Sequence, residues 1–414
     1  MIRPQRAISA FRRSLAVAVV VTAMGCDAEV TVPPEPGPGV RYPVAFAGTG
    51  RYLAVAGANF DRAYRAGALA LVDTTTDRWV RGPRVDVPSY AAGMAVGPTA
   101  TSVTDAQIWV TARDDDTITR VDLELNDALE PELRCGQAAG SSGPCDTGHL
   151  LHDENGEPTI GDDPIAVWVS DSAAPLRTLH TASTTDGRVS VYALVDASGA
   201  VLTTPRYLDH VLLGAGVDDL ITSPLTGRSY ISDQFANRLV TYDLAAVTDS
   251  DPPSWEMVLG ASIVLPAAGA GTYGRGMALS GDAGRLYVAW RNPNALLIVD
   301  IAPTLSGTPH DVLVDVIGLG GQPARVAVAP SRVDGGELVY VSCYGSDDIW
   351  VVDPELRAVA GVIDLGQAPY GLAVVDDPVV GLKLYAGLFN RHKVAVIPLE
   401  PGADGRHTVT AEVE

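Results

Sequence analysis

The chain has 414 residues, 47% hydrophobic and 19% charged, with 42 glycines, 29 prolines and a formal net charge of −21. That length holds one large β domain or two average ones, and the glycine and proline content suits many tight turns. So large an excess of acid repels phosphate backbones and argues against a nucleic-acid partner, leaving solubility or cation binding as its use.

Residues 1–25 read as an export leader: Arg3, Arg6, Arg12 and Arg13 precede an apolar run at residues 15–21, and Gly25 places a small residue before Cys26. The stretch resembles a bacterial lipoprotein signal, although Ala23 stands where such signals usually carry leucine. The resemblance implies that Cys26 becomes the acylated N-terminus and holds the protein to a membrane through lipid. A twin-arginine route through Arg12 and Arg13 would use the same residues. Residues 26–39 are Pro-rich and read as an extended tether to a domain spanning residues 40–414. Asp27, next to the cysteine, leaves the choice of membrane and leaflet open.

From there one pattern recurs. Residues 337–375, ELVYVSCYGSDDIWVVDPELRAVAGVIDLGQAPYGLAVV, hold three short strands bounded by Gly, Asp or Pro and then a fourth that opens the next copy. Apolar runs this short, rich in β-branched and aromatic residues, are strands of a meander. Equivalent third strands end at Asp73, Asp122, Ala193, Asp243, Asp300, Asp353 and Pro398. The step from Asp122 to Ala193 is about 20 residues longer than the others, and an insertion at residues 123–163 explains it without breaking the repeat. Cys135 and Cys145 lie in that insertion around a Gly/Ser-rich loop and are expected to form a local disulfide in an oxidising compartment; Cys343, at a strand end, is expected to stay free.

Seven copies of four strands form the blades of an all-β, seven-bladed β-propeller of four-stranded antiparallel blades, in which radial repetition removes long exposed sheet edges. Residues 369–374 (PYGLAV), 286–290 (LYVAW) and 349–353 (IWVVD) closely resemble the repeats of the YVTN family of seven-bladed propellers, and the likeness spans residues 41–414. Residues 407–413 supply a last strand, so that blade seven could meet blade one by contact; residues 40–47 could instead complete the final blade as a clasp.

Residues 269–274, GAGTYG, match a dinucleotide fingerprint but run into a strand where a helix would be needed. No G-x-S-x-G occurs, and the Cys-x-x-Cys-His signature of a haem protein is absent. His149 and His152 in the insertion could hold a metal only if the loop folded back, and a solvated loop is the simpler reading. The acids at residues 114–116 and 162–163 offer oxygen ligands of the kind Ca²⁺ takes, or serve as turn residues; no other cofactor is expected.

The repeat itself supplies the candidate site. Residues entering each innermost strand crowd one mouth of the central channel, so Ala92, Asp163, Asp218 or Asp219, Arg275, Arg325 and Tyr370 form a ring. Arg113, Gln234, Arg291, Tyr344 and Phe389, at second-strand ends, fall near the same face. Mixed Asp, Arg and Tyr in a funnel bind a polar or anionic ligand, or neutralise one another around trapped water. Two functions follow. The first is a monomeric, lipid-anchored cell-envelope propeller, on the periplasmic face or the outer membrane, acting as a non-catalytic scaffold for envelope proteins or surface polymer. The second, implied by similarity to lactonase-like propellers, is a hydrolase or isomerase at the mouth using Arg275, Arg325, Tyr370 and an Asp.

Overall fold

The computed structural model describes residues 37–97, 106–136, 143–151, 160–170, 176–196, 198–247, 254–266, 274–331, 335–377, 379–403 and 406–413. The leader, Cys26 and most of the tether lie outside them.

Strands that follow one another in sequence pair antiparallel, and seven sheets result: residues 43–87, 91–134, 164–212, 217–264, 274–318, 323–364 and 369–412. Each is a four-strand meander, and the fourth gains a two-residue strand, Ile263–Val264. The two middle strands of a blade are packed on both faces. That is why they read as unbroken apolar runs such as Tyr52–Gly57, buried at every position. Fourth strands face solvent on one side, as the alternating exposure of Val312–Gly318 shows.

Seven apolar clusters hold the blades together, one at each junction. Leu69 of blade 1 packs with Ile108 of blade 2, Trp109 of blade 2 with Leu179 of blade 3, and Val191 of blade 3 with Ile231 of blade 4. The series continues with Leu239 and Val288, Tyr287 and Val341, and Tyr340 and Leu384. It closes where Tyr385 and Val394 of blade 7 meet Val55 and Ala70 of blade 1. Each buried Leu, Ile or Val side chain here is worth about 1.5–3 kcal/mol, and a core divided among seven junctions needs all of them to make a ring.

Pro43–Thr49 is the innermost strand of blade 1, so the ring closes by contact and not by a shared strand. Polar ties reinforce the seam. Lys383 Nζ donates to Asp77 Oδ2 at 2.8 Å and to the Thr74 carbonyl at 3.1 Å, and the Tyr385 hydroxyl donates to Asp77 Oδ1 at 2.6 Å. The last strand is only Ala411–Glu412, with Glu412 held by Lys393 at 2.5 Å and Arg391 at 3.1 Å.

The extra chain between blades 2 and 3 is shorter than residues 123–163. Thr117–Leu125 and Pro131–Arg134 are the third and fourth strands of blade 2, joined by a turn in which the Asn126 side chain accepts the N–H groups of Ala128 and Glu130. The additional segment starts at Cys135, which is disulfide-bonded to Cys145 with Cα atoms 4.8 Å apart. It lies along the outer edges of two blades, where Asp86 N–H donates to the Gly143 carbonyl at 3.1 Å and Leu151 N–H to that of Ile118 at 2.8 Å. Cys343 is free and buried, and burial pushes its thiol up to about 12.

Candidate functional site

One backbone irregularity, repeated around the ring, builds the mouth. Each innermost strand carries one residue more than its partner near its start: Pro43 and Ala45 face Gly57 and Ala56, Val217 and Asp219 face Asp233 and Ser232, and Gly274 and Met277 face Trp290 and Val288. The other four blades do the same. Such bulges turn a side chain out of the ladder. The residues they release include Ala92, Asp218, Arg275, Arg325 and Tyr370, five members of the expected ring. The position just before the strand is left-handed in five blades, at Tyr42, Tyr90, Asp163, Gly216 and Gln322, with φ of 51°, 60°, 66°, 123° and 53°. For the non-glycine residues this costs on the order of 1 kcal/mol each, and two of them, Tyr90 and Gln322, line the mouth.

Neighbouring innermost strands approach closely at the bulge. A Cβ on Gly371 would lie 2.5 Å from the Val44 carbonyl, and one on Gly276 2.8 Å from that of Ala324. Second-strand hydroxyls stitch the bulges together: Ser342 Oγ accepts the Arg325 N–H at 3.1 Å and donates to the Tyr370 carbonyl at 2.8 Å. Thr111 Oγ1 likewise accepts the Gly93 N–H at 2.8 Å in blade 2.

At the mouth lies a cavity of about 280 Å³. Of the expected site residues, Arg275, Arg291, Tyr344 and Tyr370 line it, together with Arg113, Ala92 and Phe389. Asp163 and Asp218 do not line it but pair with its Arg113 and Arg275, and Arg325, also outside the lining, shares Asp218 with Arg275. Gln234 takes no part: its backbone N–H bonds the Gly216 carbonyl at 2.6 Å and it is not among the lining residues. Phe60, Tyr90 and Gln322 line the cavity without having been expected. Tyr90 and Gln322 occupy the same pre-strand position as Asp163, so extending the ring by one residue would have found them. Phe60 sits on an inter-strand loop outside the repeat pattern and carried no such signal.

The charges are unevenly matched. Arg113 grips Asp163 with both ends of its fork, Nη2 lying 2.7 Å from Oδ2, and this hydrogen bonding raises the Arg113 pKa. Asp218, 1% exposed, accepts Arg275 Nη1 at 2.5 Å and lies 3.5 Å from Arg325 Nη1. Burial works against the charge of Arg325, but Tyr370, Asp219 and Asp218 outweigh it and raise its pKa; its guanidinium sits 5.3 Å from the Tyr370 ring centre. Asp219 accepts N–H groups from Met277 at 2.8 Å and Leu220 at 2.9 Å, and burial pushes its carboxyl up to about 6.

Arg291 is different. Its Nε donates to the Pro323 carbonyl at 2.8 Å, but among the described residues no carboxylate comes within ion-pair distance. Burial, then Arg275, lowers its pKa. Nor do the Tyr344 and Tyr370 hydroxyls or the Gln322 carboxamide hydrogen-bond another described residue. The cavity therefore presents one uncompensated guanidinium, two phenols and an amide, with the Tyr344, Tyr370 and Phe389 rings 5.9–6.4 Å apart along one wall.

Several of the candidate metal ligands are otherwise engaged. Asp114 pairs with Arg62, Asp116 Oδ1 accepts the Asp163 N–H at 2.7 Å, and His149 lies 2.7 Å from Asp146 and 3.4 Å from Asp122. No cluster of three potential ligands occurs among the described residues. His152 and residues 269–273 lie outside those residues, and Gly274 opens the innermost strand of blade 5.

No family model matches the chain, and no curated protein matches it. Solved structures do. A putative 6-phosphogluconolactonase from Bacteroides fragilis is 12% identical with a TM-score of 0.55, over 81% of this chain and 87% of that one. A putative 6-phosphogluconolactonase from Bacteroides uniformis is 14% identical with a TM-score of 0.54, over 78% and 86%. Kuenenia stuttgartiensis hydrazine synthase is 15% identical with a TM-score of 0.54, over 91% and 99%. At such identities the likeness is one of fold alone, and function has to be argued from the site.

Proposed function

We propose that the mouth cavity binds a small polyhydroxylated acid or its lactone, and that the protein is a lactonase-like propeller that hydrolyses such a ring ester. The observation that carries this reading is Arg291, a guanidinium facing the cavity with no carboxylate of its own among the described residues. A ligand carboxylate or ester carbonyl oxygen is the partner it lacks, and charge-assisted bonds of this kind are worth about twice a neutral one. The free Tyr344, Tyr370 and Gln322 groups suit a ligand bearing several hydroxyls. In hydrolysis, water adds to the ester carbonyl carbon and the ring C–O bond breaks to give the hydroxy acid. The charge gathering on the carbonyl oxygen is what Arg291, with Arg275 beside it, would stabilise.

Of the two functions expected from the sequence, the cavity and the likeness to two lactonase-like propellers favour the enzyme over a non-catalytic scaffold. On its motifs we place the chain with the YVTN-repeat propellers. Its site of action, we propose, is the cell envelope with Cys26 lipidated. The Cys135–Cys145 disulfide supports an oxidising compartment, and the leader-like residues 1–25 support export.

Proton release from a panel of aldonolactones, with and without a phosphate, tests the reaction. Wild-type protein should accelerate at least one, and Arg291→Gln should lower kcat/KM by about 100-fold, the usual scale for removing one donor to a developing oxyanion. No turnover across the panel would overturn the hydrolase, and no calorimetric binding of the corresponding acids would overturn the site.

A further inference from the structure

We infer that the mouth receives the end of an acidic, uronate-containing oligosaccharide, with Phe60 stacking on the sugar next to the one in the cavity. This rests on the sugar-acid reading above and extends it outward. The cavity, about 280 Å³, has room for roughly one sugar ring. Its aromatic wall runs outward to the exposed Phe60, itself one of the lining residues. From Tyr370 the rings continue to Phe389 at 6.2 Å, to Phe60 at 5.6 Å and to Tyr90 at 5.3 Å between centres, with Tyr42 4.9 Å from Phe389.

Phe60 is 57% exposed, yet its loop is firmly built. Asn59, fully buried and left-handed at φ 46°, donates from Nδ2 to the Tyr64 carbonyl at 2.8 Å and to Ser89 Oγ at 3.0 Å, and its Oδ1 accepts the Tyr64 N–H at 3.3 Å. Holding a phenyl ring out on such an anchor forgoes the burial energy a core position would supply. A pyranose offers an apolar C–H face to a ring of this kind, while its hydroxyls and carboxylate stay free for polar partners.

Charge selects among chain-like ligands. The site carries the unmatched Arg291, whereas the nearby Arg62, its guanidinium 5.1 Å from the Tyr90 ring centre, is already paired with Asp114, so Arg291 is the charge left for an acid. The chain as a whole, at −21, repels extended anionic surfaces, so a slender oligosaccharide whose charge enters at the mouth fits better than a membrane.

Calorimetry on the full chain with glucuronate, its di- and trisaccharides, and neutral gluco-oligosaccharides of equal length decides it. The disaccharide should bind about tenfold tighter than the monosaccharide, the scale of one added stacking contact. Phe60→Ala should weaken the disaccharide about tenfold more than the monosaccharide, with an unchanged circular dichroism spectrum, and Arg291→Gln should weaken both. A disaccharide no tighter than the monosaccharide, or a Phe60→Ala loss equal for both, overturns the extension and leaves the cavity reading intact. Equal binding of neutral oligosaccharides overturns the requirement for acid. Failure of wild type to bind any of the acids overturns the sugar-acid reading itself.

Discussion

Arg291 shows how a single side chain can serve a ligand at the expense of the fold. A guanidinium with no carboxylate in ion-pair distance among the described residues, its pKa lowered by burial and then by Arg275 and Arg325, is a net cost to the native state. Arg291→Gln should therefore raise stability in the absence of ligand by about 1 kcal/mol, read as a higher Tm, while removing acid binding. A lower Tm would make Arg291 a structural prop. Arg275 in the same blade, and Arg325 and Tyr370 in the next two, are legible from the repeat, because they occupy positions that copies share. Gln322 and Phe60 are not. The first lies one step outside the strand and depends on a left-handed turn that composition does not reveal. The second belongs to a loop that no other blade repeats.

At the scale of strands and their pairings, legibility follows burial. Middle strands, apolar on both faces, stood out in the sequence, whereas fourth strands such as Pro131–Arg134 and Ala411–Glu412 are short and half polar and blend with turns. That is why the insertion seemed to begin at residue 123. The join between blades 3 and 4 hides a polar tie that no pattern announced. His180 is buried between Thr178, 2.7 Å from its Nε2, and the Tyr242 hydroxyl at its Nδ1, and burial pushes its pKa down to about 3. In the unfolded chain this imidazole takes up a proton below about 6.5, whereas the native state refuses it. Its contribution to stability is thus present above that pH and is lost as pH falls toward 3, amounting to about 3 kcal/mol between pH 7 and 4. His180→Gln, which keeps hydrogen-bonding capacity at both ends, should flatten the acid limb of a stability–pH curve relative to wild type. Parallel curves for the two proteins would show that His180 is protonated, or opened to solvent, before the fold is lost.

The whole molecule is a ring whose first and last blades share no strand, so its integrity depends on the side chains at the seam. Asp77 there answers both Lys383 and Tyr385. Asp77→Ala should cost about 2 kcal/mol in denaturant unfolding, because it strands two part-buried polar groups at once. It should also raise hydrogen exchange in blades 1 and 7 ahead of blades 3 to 5. Uniform exchange would indicate that the apolar cluster of Val55, Tyr385 and Val394 closes the ring unaided. The ring matters for function because only its closure brings Arg113, Arg275, Arg291 and Tyr370 to one cavity from blades 2, 5 and 7. The most direct test of that arrangement is a crystal structure with an aldonic or uronic acid bound. The predicted result is the ligand's carboxylate against Arg291 with its hydroxyls on Tyr344, Tyr370 or Gln322. An occupied site elsewhere on the propeller with this cavity holding only solvent would contradict the account.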